Sequence, residues 1–509
     1  MSAFRAGSTA GPGRAARAAP AGEALAHLSG DLRGAAVRGT LWSGVNVAVA
    51  TTVSAAVFLL AARLLAVEDF GTVALALAIV AALGCLVPVA FGDALVQRAA
   101  IAPRHLDTVF WACILASAAL YAVLAAGAGP VARWTGHPDL ASILPVLGLR
   151  LPLDAAAAVP LALIQRRMRF RQIALRTTAA NLAGGAACVV LALAGGGLWS
   201  LVAMHLVTAA AGAVVLWLSA GWSPGFDVTA GAWRDLRRFG LAAGGLRALD
   251  ELRLDQLILG ALAGPAMLGL YYFARRLSQI ATDLTVGVVN PVASVLLATV
   301  QADRERRRRA FAMGGFAAAA ASFPVAAGLL ALADPAIPLL FGAQWAEAVP
   351  AVRALAVLLA LAGVGVIQAA LIKGCGEAGW WFRYQLLQQG LNAALVALLH
   401  DHGLAVMMWA LAAKTALLWP LSVRKTLHLL GAGPAPYRDS LLAPAAAAAA
   451  MLAVLLLMPL LLPPLAAWAL LGLQVAAGAA VYAAALALAA PASLRVLLGA
   501  LSQRRAGLA

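Results

Sequence analysis

The chain has 509 residues, 63% of them hydrophobic and only 11% charged, with a mean hydropathy of +0.90, well above what a water-soluble core of this size requires. A formal net charge of +16 raises nucleic acid as a partner, but such a binder gathers its basic residues on a solvated domain with groove-reading or stacking elements, and none is present. The composition is that of an integral membrane protein.

The first 38 residues include Gly11-Pro-Gly-Arg-Ala-Ala-Arg17 and no apolar core of the length a secretory signal needs, so they read as a basic cytoplasmic tail. About fourteen apolar stretches of membrane-spanning length follow. Six fall in residues 39–220: 41–63, 70–92, 108–130, 140–164, 173–195 and 198–220. A segment at 221–236 with Trp222, Pro224, Gly225 and Trp233 is the longest loop on its side and the expected boundary between two lobes. Six more spans fall in 237–424: 237–263, 266–300, 311–333, 349–373, 381–400 and 403–423. A cytoplasmic loop at 425–440, two final spans at 441–463 and 465–490, and a tail at 491–509 complete the chain. This layout puts most basic residues, including Arg98, Arg166–Arg176 and Arg304–Arg309, on one side and leaves Arg63, Arg133 and Arg353 on the other. By the positive-inside rule both termini are cytoplasmic.

The seventh span carries Arg247, Asp250, Glu251, Arg253 and Asp255. Charge at membrane depth is costly unless it faces a polar interior, so such a span marks a substrate or ion path. On a continuous helix Arg247, Glu251 and Asp255 repeat at i, i+4, i+8, and all five charges share about half of the surface. Arg150, Arg276 and Lys414 also fall near the midplane, on three other spans. Carboxylates stand within reach: Asp154 at i+4 from Arg150, Asp283 at i+7 from Arg276, and Asp250 beside Arg247 or Arg253. Two readings stay open: compensating pairs that knit the lobes together, or a cavity whose arginines receive phosphate oxygens through planar forks of donors. In the eleventh span Gln385, Gln388, Gln389 and Asn392 form an amide stripe, suited either to sugar hydroxyls or to interhelical ties. Asn46 and Asn181 read as such ties, and His205 as a packed or hydrogen-bonded residue. The cysteines lack paired spacing and His400-Asp-His402 lacks a further ligand, so no metal site is expected.

Arg63-Leu-Leu-Ala-Val-Glu-Asp-Phe-Gly71 aligns without gaps with Ala261-Leu-Ala-Gly-Pro-Ala-Met-Leu-Gly269, each at the same end of its lobe. An even number of spans separates the copies, as in transporters built from parallel repeats. The hairpin at 62–77, Leu163-Ile-Gln-Arg-Arg-Met-Arg-Phe170, Leu254-Asp-Gln-Leu-Ile-Leu-Gly260 with Gly264-Pro-Ala-Met-Leu-Gly-Leu-Tyr271 and Ala274-Arg-Arg-Leu277, and Leu340-Phe-Gly-Ala-Gln-Trp345 follow in order. In these residues the chain resembles the Wzx-type oligosaccharide and polysaccharide exporters of the multidrug/oligosaccharidyl-lipid/polysaccharide superfamily, over residues 38–425.

The resemblance implies an all-α membrane protein of two six-helix lobes related by a pseudo-two-fold, plus two C-terminal helices. It also implies a flippase that moves an undecaprenyl-diphosphate-linked oligosaccharide across the bacterial plasma membrane by alternating access, with membrane lipids, a polysaccharide polymerase and chain-length machinery as partners and no nucleic acid. Arg150, Arg247, Arg253, Arg276, Lys414, Gln385, Gln388, Gln389 and Asn392 are the candidates for substrate binding. Asp154, Asp250, Glu251, Asp255 and Asp283 are the candidates for a coupling proton or sodium ion, and no other cofactor is expected. Two other classes stay open. A drug or cation antiporter would favour an acid deep in the first span, which has none. A membrane enzyme of polysaccharide assembly would need a large outer loop or a catalytic histidine.

Overall fold

The computed structural model describes residues 49–98, 101–236, 240, 244, 251–299, 304–463 and 465–495, which leaves Asn46, Arg247, Asp250, the N-terminal tail and residues 496–509 outside the described residues. Every regular element among the described residues is helical. The first lobe comprises α1 (Val49–Leu64), α2 (Val67–Gly84), α3 (Phe91–Gln97), α4 (Pro103–Thr135), α5 (Leu140–Gly148), α6 (Arg150–Arg166), α7 (Phe170–Leu193) and α8 (Leu198–Ala220). The second comprises α9 (Leu254–Leu262), α10 (Gly264–Thr299), α11 (Arg304–Phe341), α12 (Val349–Gly374), α13 (Ala378–Leu399) and α14 (Leu404–Leu430). Two further helices, α15 (Ala435–Leu461) and α16 (Ala467–Ala489), pack on each other and on α11.

Ten of these segments are long and apolar enough to cross a membrane. Their outward faces carry large apolar side chains in the open, such as Leu218 at 81% and Leu488 at 85% exposure. Water would penalise such a surface and lipid does not, so the bundle is inside out relative to a soluble domain. One end of the bundle, here the basic end, carries Arg98, Arg166 and Arg304–Arg309; the far end carries Arg63 and Trp345.

Three of the expected continuous spans are broken. The helix expected over 70–92 stops at Gly84, because Pro88 has no N–H to donate and holds Val87 extended at ψ 133° before a 3-10 turn at Pro88–Ala90. The span expected over 140–164 divides at Leu149 into α5 and α6. The seventh span is interrupted at Leu252–Arg253, where Arg253 has φ −92° and ψ 63°, so the five charges do not form one continuous stripe. Backbone carbonyls and amides are freed at such a break, and at membrane depth that is tolerated only where the chain lines a polar space or is buried in protein. Asp255 falls in the first turn of the new helix α9, where the dipole favours a negative charge.

The lobes meet most closely where α2 crosses α10. A Cβ at Gly71 would stand 1.8 Å from the Pro265 carbonyl oxygen, and one at Gly269 would stand 2.1 Å from that of Val67. Only glycine permits this approach. Positions 67 and 71 are the partners of 265 and 269 in the internal repeat, so each copy offers the same residue to the same place on the other. The crossing is a pseudo-two-fold contact, and the sequence repeat has a physical cause.

The loop at 221–236 is bound to the first lobe along its length. The Asp107 carboxylate accepts from the amides of Gly225 (2.9 Å) and Asp227 (3.3 Å), Trp111 Nε1 donates to the Gly225 carbonyl (2.7 Å), and Phe91 stacks on Trp233 at 4.6 Å. Arg98 pairs with Asp235 at 3.1 Å, and His105 Nε2 lies 3.4 Å from the same carboxylate. The Ala102 amide donates to His105 Nδ1 (2.9 Å), which leaves the Nε2 proton for Asp235. That bond, reinforced by Arg98, holds the Asp235 carboxyl below the usual range.

Candidate functional site: a polar cavity between the lobes

The charges unfavourable in lipid converge on a cavity of about 790 Å³ between the lobes. From the basic end, at Asp93 and Gln165, its lining runs past the charged residues and stops at Phe58, Ala61 and Phe70. Beyond these the far end is packed: Phe58, Phe70, Phe273, Phe341 and Trp345 form one aromatic cluster, with Trp345 stacked 4.2 Å from Phe273.

Two of the sequence motifs lock this end. Gln344 Nε2 donates to the carbonyls of Ala62 (2.8 Å) and Leu65 (3.1 Å), and Trp345 Nε1 also donates to Ala62 (2.8 Å). In return Arg63 donates to the carbonyls of Leu340 and Leu339, both at 2.5 Å. Carbonyls at the ends of α1 and α11 have no partner in their own helices, and each lobe satisfies those of the other. The basic-end motif instead ties helices within the first lobe: Arg166 donates to the carbonyls of Leu95 (3.1 Å) and Val96 (3.2 Å), and Arg167 to that of Ala220 (2.7 Å).

Of the residues singled out by sequence, Arg150, Asp154, Glu251, Arg253, Asp255, Arg276 and Gln389 line the cavity. Arg150 Nε donates to Asp154 at 3.1 Å, the pairing expected from i, i+4 spacing. The spacing of Arg276 and Asp283 is not used as expected. Arg276 donates across to Ser54 of α1, and Asp283 accepts instead from Gln279 at 2.8 Å. Asp255 accepts from the Tyr271 hydroxyl and lies 3.6 Å from Arg275, whose guanidinium sits over the Tyr271 ring. Arg247 and Asp250 lie outside the described residues.

Lys414, Gln385, Gln388, Asn392 and Asp283 are not part of the lining. Lys414 is buried between α13 and α14, where its Nζ donates to Gln388 Oε1 (2.5 Å) and Asn392 Oδ1 (2.6 Å). Asn392 Nδ2 donates to Gln389 Oε1 at 3.2 Å, so most of the amide stripe is spent inside the second lobe.

Several cavity residues were not predicted from the sequence. Arg176 belongs to the basic run at 166–176 in the sequence, but α7 begins at Phe170 and places it roughly 9 Å along the helix. It lines the cavity, and its charge and those of Arg150 and Asp154 act on one another. Asn181, expected as an interhelical tie, and His205, expected as a packed or hydrogen-bonded residue, line it too. Arg275 was visible beside Arg276 in the sequence, but which of two adjacent arginines faces a cavity depends on helix rotation. Both do. The arrangement can hold an anion against arginines from both lobes, with Gln165, Asn181, Gln256 and Gln279 able to serve neutral hydroxyls.

Known proteins share this architecture. The model of a family described as polysaccharide biosynthesis protein matches residues 60–350. The succinoglycan biosynthesis transport protein ExoT of Rhizobium meliloti (strain 1021) is 29% identical over 338 residues, 66% of this chain and 68% of that protein. The lipopolysaccharide biosynthesis protein WzxC of Escherichia coli (strain K12) is 23% identical over 342 residues, 66% of this chain and 69% of that one. Among solved structures the lipid II flippase MurJ, in its inward closed conformation, superposes with a TM-score of 0.72, covering 88% of this chain and 99% of that one at 14% identity.

Proposed function

The chain belongs to the polysaccharide biosynthesis protein family, and from that premise we propose that it is a flippase carrying lipid-linked oligosaccharide repeat units across the bacterial plasma membrane for surface polysaccharide assembly. The observation that carries the reading is the cavity, which gathers Arg150, Arg176, Arg253, Arg275 and Arg276 inside a bundle whose outside suits only lipid. An undecaprenyl tail can stay in the bilayer, so only the diphosphate and sugars need the polar path. Arginine forks match phosphate oxygens, and amide side chains match hydroxyls.

The basic end faces the cytoplasm in this reading, as the positive-inside rule requires, and both termini lie there. Cargo then enters past Asp93 and Gln165 while the aromatic cluster and the Arg63 and Gln344 bonds hold the far end shut. Opening the far end while the basic end closes carries the headgroup across. Glu251, Asp255 and Asp154 are the described carboxylates that stand among the cavity arginines, in position to exchange a coupling proton or sodium ion, with Asp93 at the basic-end mouth. No bond in the cargo is broken, and a polymerase with its chain-length machinery receives the unit outside.

The test is Arg276→Ala. Arg276 joins α10 to α1 through Ser54 and lines the cavity. The variant is expected to reach the membrane at the normal level, to accumulate lipid-linked repeat units in the inner leaflet, and to make little surface polysaccharide. Arg276→Lys should restore only part of the export, because a point charge lacks the planar fork. Normal polysaccharide in the alanine variant would remove the cavity arginines from the mechanism.

A further inference from the structure

α8 is apolar along most of its length, yet His205 and Thr208 face the cavity from it. The other histidines in or beside the bundle interior have partners. His105 is bound by Ala102 and Asp235, and His137 Nε2 lies 3.2 Å from the Gly260 carbonyl. The His205 ring has no hydrogen-bond partner among the described residues. The charges of Arg150, Arg276 and Arg253 all act on it, the first from its own lobe and the other two from the opposite lobe.

The ring lies on the cavity wall, so its hydrogen bonds are made with what enters the cavity, water in the empty site and a polar group of the cargo in the filled one. The surroundings select the chemistry. At the ring itself a metal ion is disfavoured because the three guanidinium groups repel a further cation, whereas a coupling cation has the carboxylates of the same cavity. A sugar hydroxyl would satisfy the ring but leave Arg253 and Arg276 without an anionic partner among the described residues, since only Arg150 of the three is paired, with Asp154. A diphosphate does both, because its oxygens accept and its charge neutralises. Imidazole keeps at least one N–H to donate in either protonation state, and each guanidinium retains donors after its bond to Asp154 or Ser54.

Resting on the flippase reading, we propose that His205 is a direct contact of the cargo's diphosphate, held between Arg150 on one side and Arg253 and Arg276 on the other. The diphosphate then bridges the lobes at this level. With the site empty, Arg150, paired with Asp154, and the cations Arg253 and Arg276 belong to opposite walls of the cavity; a bound anion attracts all three. Cargo thereby favours approach of the lobes around it.

The experiment uses the full chain in detergent, with inorganic pyrophosphate, farnesyl diphosphate and farnesol as probes. Carbethoxylation of His205 is read by peptide mass mapping, and binding is measured for His205→Gln and His205→Phe. Farnesyl diphosphate should protect His205 and farnesol should not. His205→Phe should weaken farnesyl diphosphate binding by about tenfold or more, the scale of a hydrogen bond to a charged acceptor, and His205→Gln, which keeps an N–H, by about threefold or less. Protection by pyrophosphate as well would show that the diphosphate suffices. Protection by farnesyl diphosphate alone would show that the contact needs the lipid-linked form. Equal modification of His205 with and without either diphosphate, or undiminished binding in folded His205→Phe, would overturn the His205 contact and leave the flippase reading standing. Failure of the folded wild-type chain to bind either diphosphate would overturn both. If His205→Phe does not fold, protection in the wild-type chain decides.

Discussion

Adding one methyl group at Gly71 should open the far end of the cavity. In Gly71→Ala the new Cβ would stand 1.8 Å from the Pro265 carbonyl oxygen, 2.6 Å from its carbon and 2.9 Å from the Gly269 nitrogen. All three are backbone atoms, so no side chain can swing aside, and α2 and α10 must part by roughly 1.5 Å to reach ordinary contact. Overpacking of this kind costs ~1–3 kcal/mol. The cost falls on the closed far end alone if the two helices separate there during transport. The equilibrium then shifts toward the open far end by roughly 5- to 150-fold. The assay is labelling of a single cysteine at Ala61, which is 1% exposed and lines the cavity beneath the seal, by a membrane-impermeant maleimide from outside. The background lacks Cys85, Cys113, Cys188 and Cys375. Labelling should rise several-fold in Gly71→Ala, and likewise in Gly269→Ala, whose Cβ would stand 2.1 Å from the Val67 oxygen. Unchanged labelling in a well-folded Gly71→Ala protein would show that the crossing is not part of the gate.

Lys414→Met should act on stability rather than on cargo. It removes the donor held by Gln388 Oε1 and Asn392 Oδ1, and the loss of two part-buried hydrogen bonds to a charged donor costs about 1–3 kcal/mol in all. A lower melting temperature with unchanged farnesyl diphosphate binding is expected; the reverse result would place Lys414 in the cargo path. The clamp on the loop at 221–236 should depend on pH. Asp235 is held below the usual carboxylate value of about 4 by His105 and Arg98, so it stabilises the fold above that value and the contribution disappears as pH falls through its lowered folded value. Melting temperatures of wild type and Asp235→Asn should therefore differ at pH 7 and converge below about pH 4. A constant difference across that range would exclude the carboxylate as the cause.

Much of this protein is fixed by local chemistry that any reader of the chain can follow. Apolar runs of spanning length, interrupted by short polar turns, dictate helices in a bilayer because every backbone group must find a partner within its own segment. The Arg150–Asp154 pair follows from the rise of a helix, and the match of Gly71 with Gly269 is visible as a repeat before its contact is known. Tertiary structure decided what lay beyond one helix. Arg276 turned to Ser54 rather than to Asp283 on its own helix because the lobes approach there. Lys414 went to the amides of α13 because α14 packs on it, while Arg176 and His205 entered the cavity through the rotation of α7 and α8. Periodicity tells which residues share a face. It does not tell which face meets a cavity, because burying charge and burying apolar surface are judged against neighbours far away in the chain, and only the packed bundle supplies them.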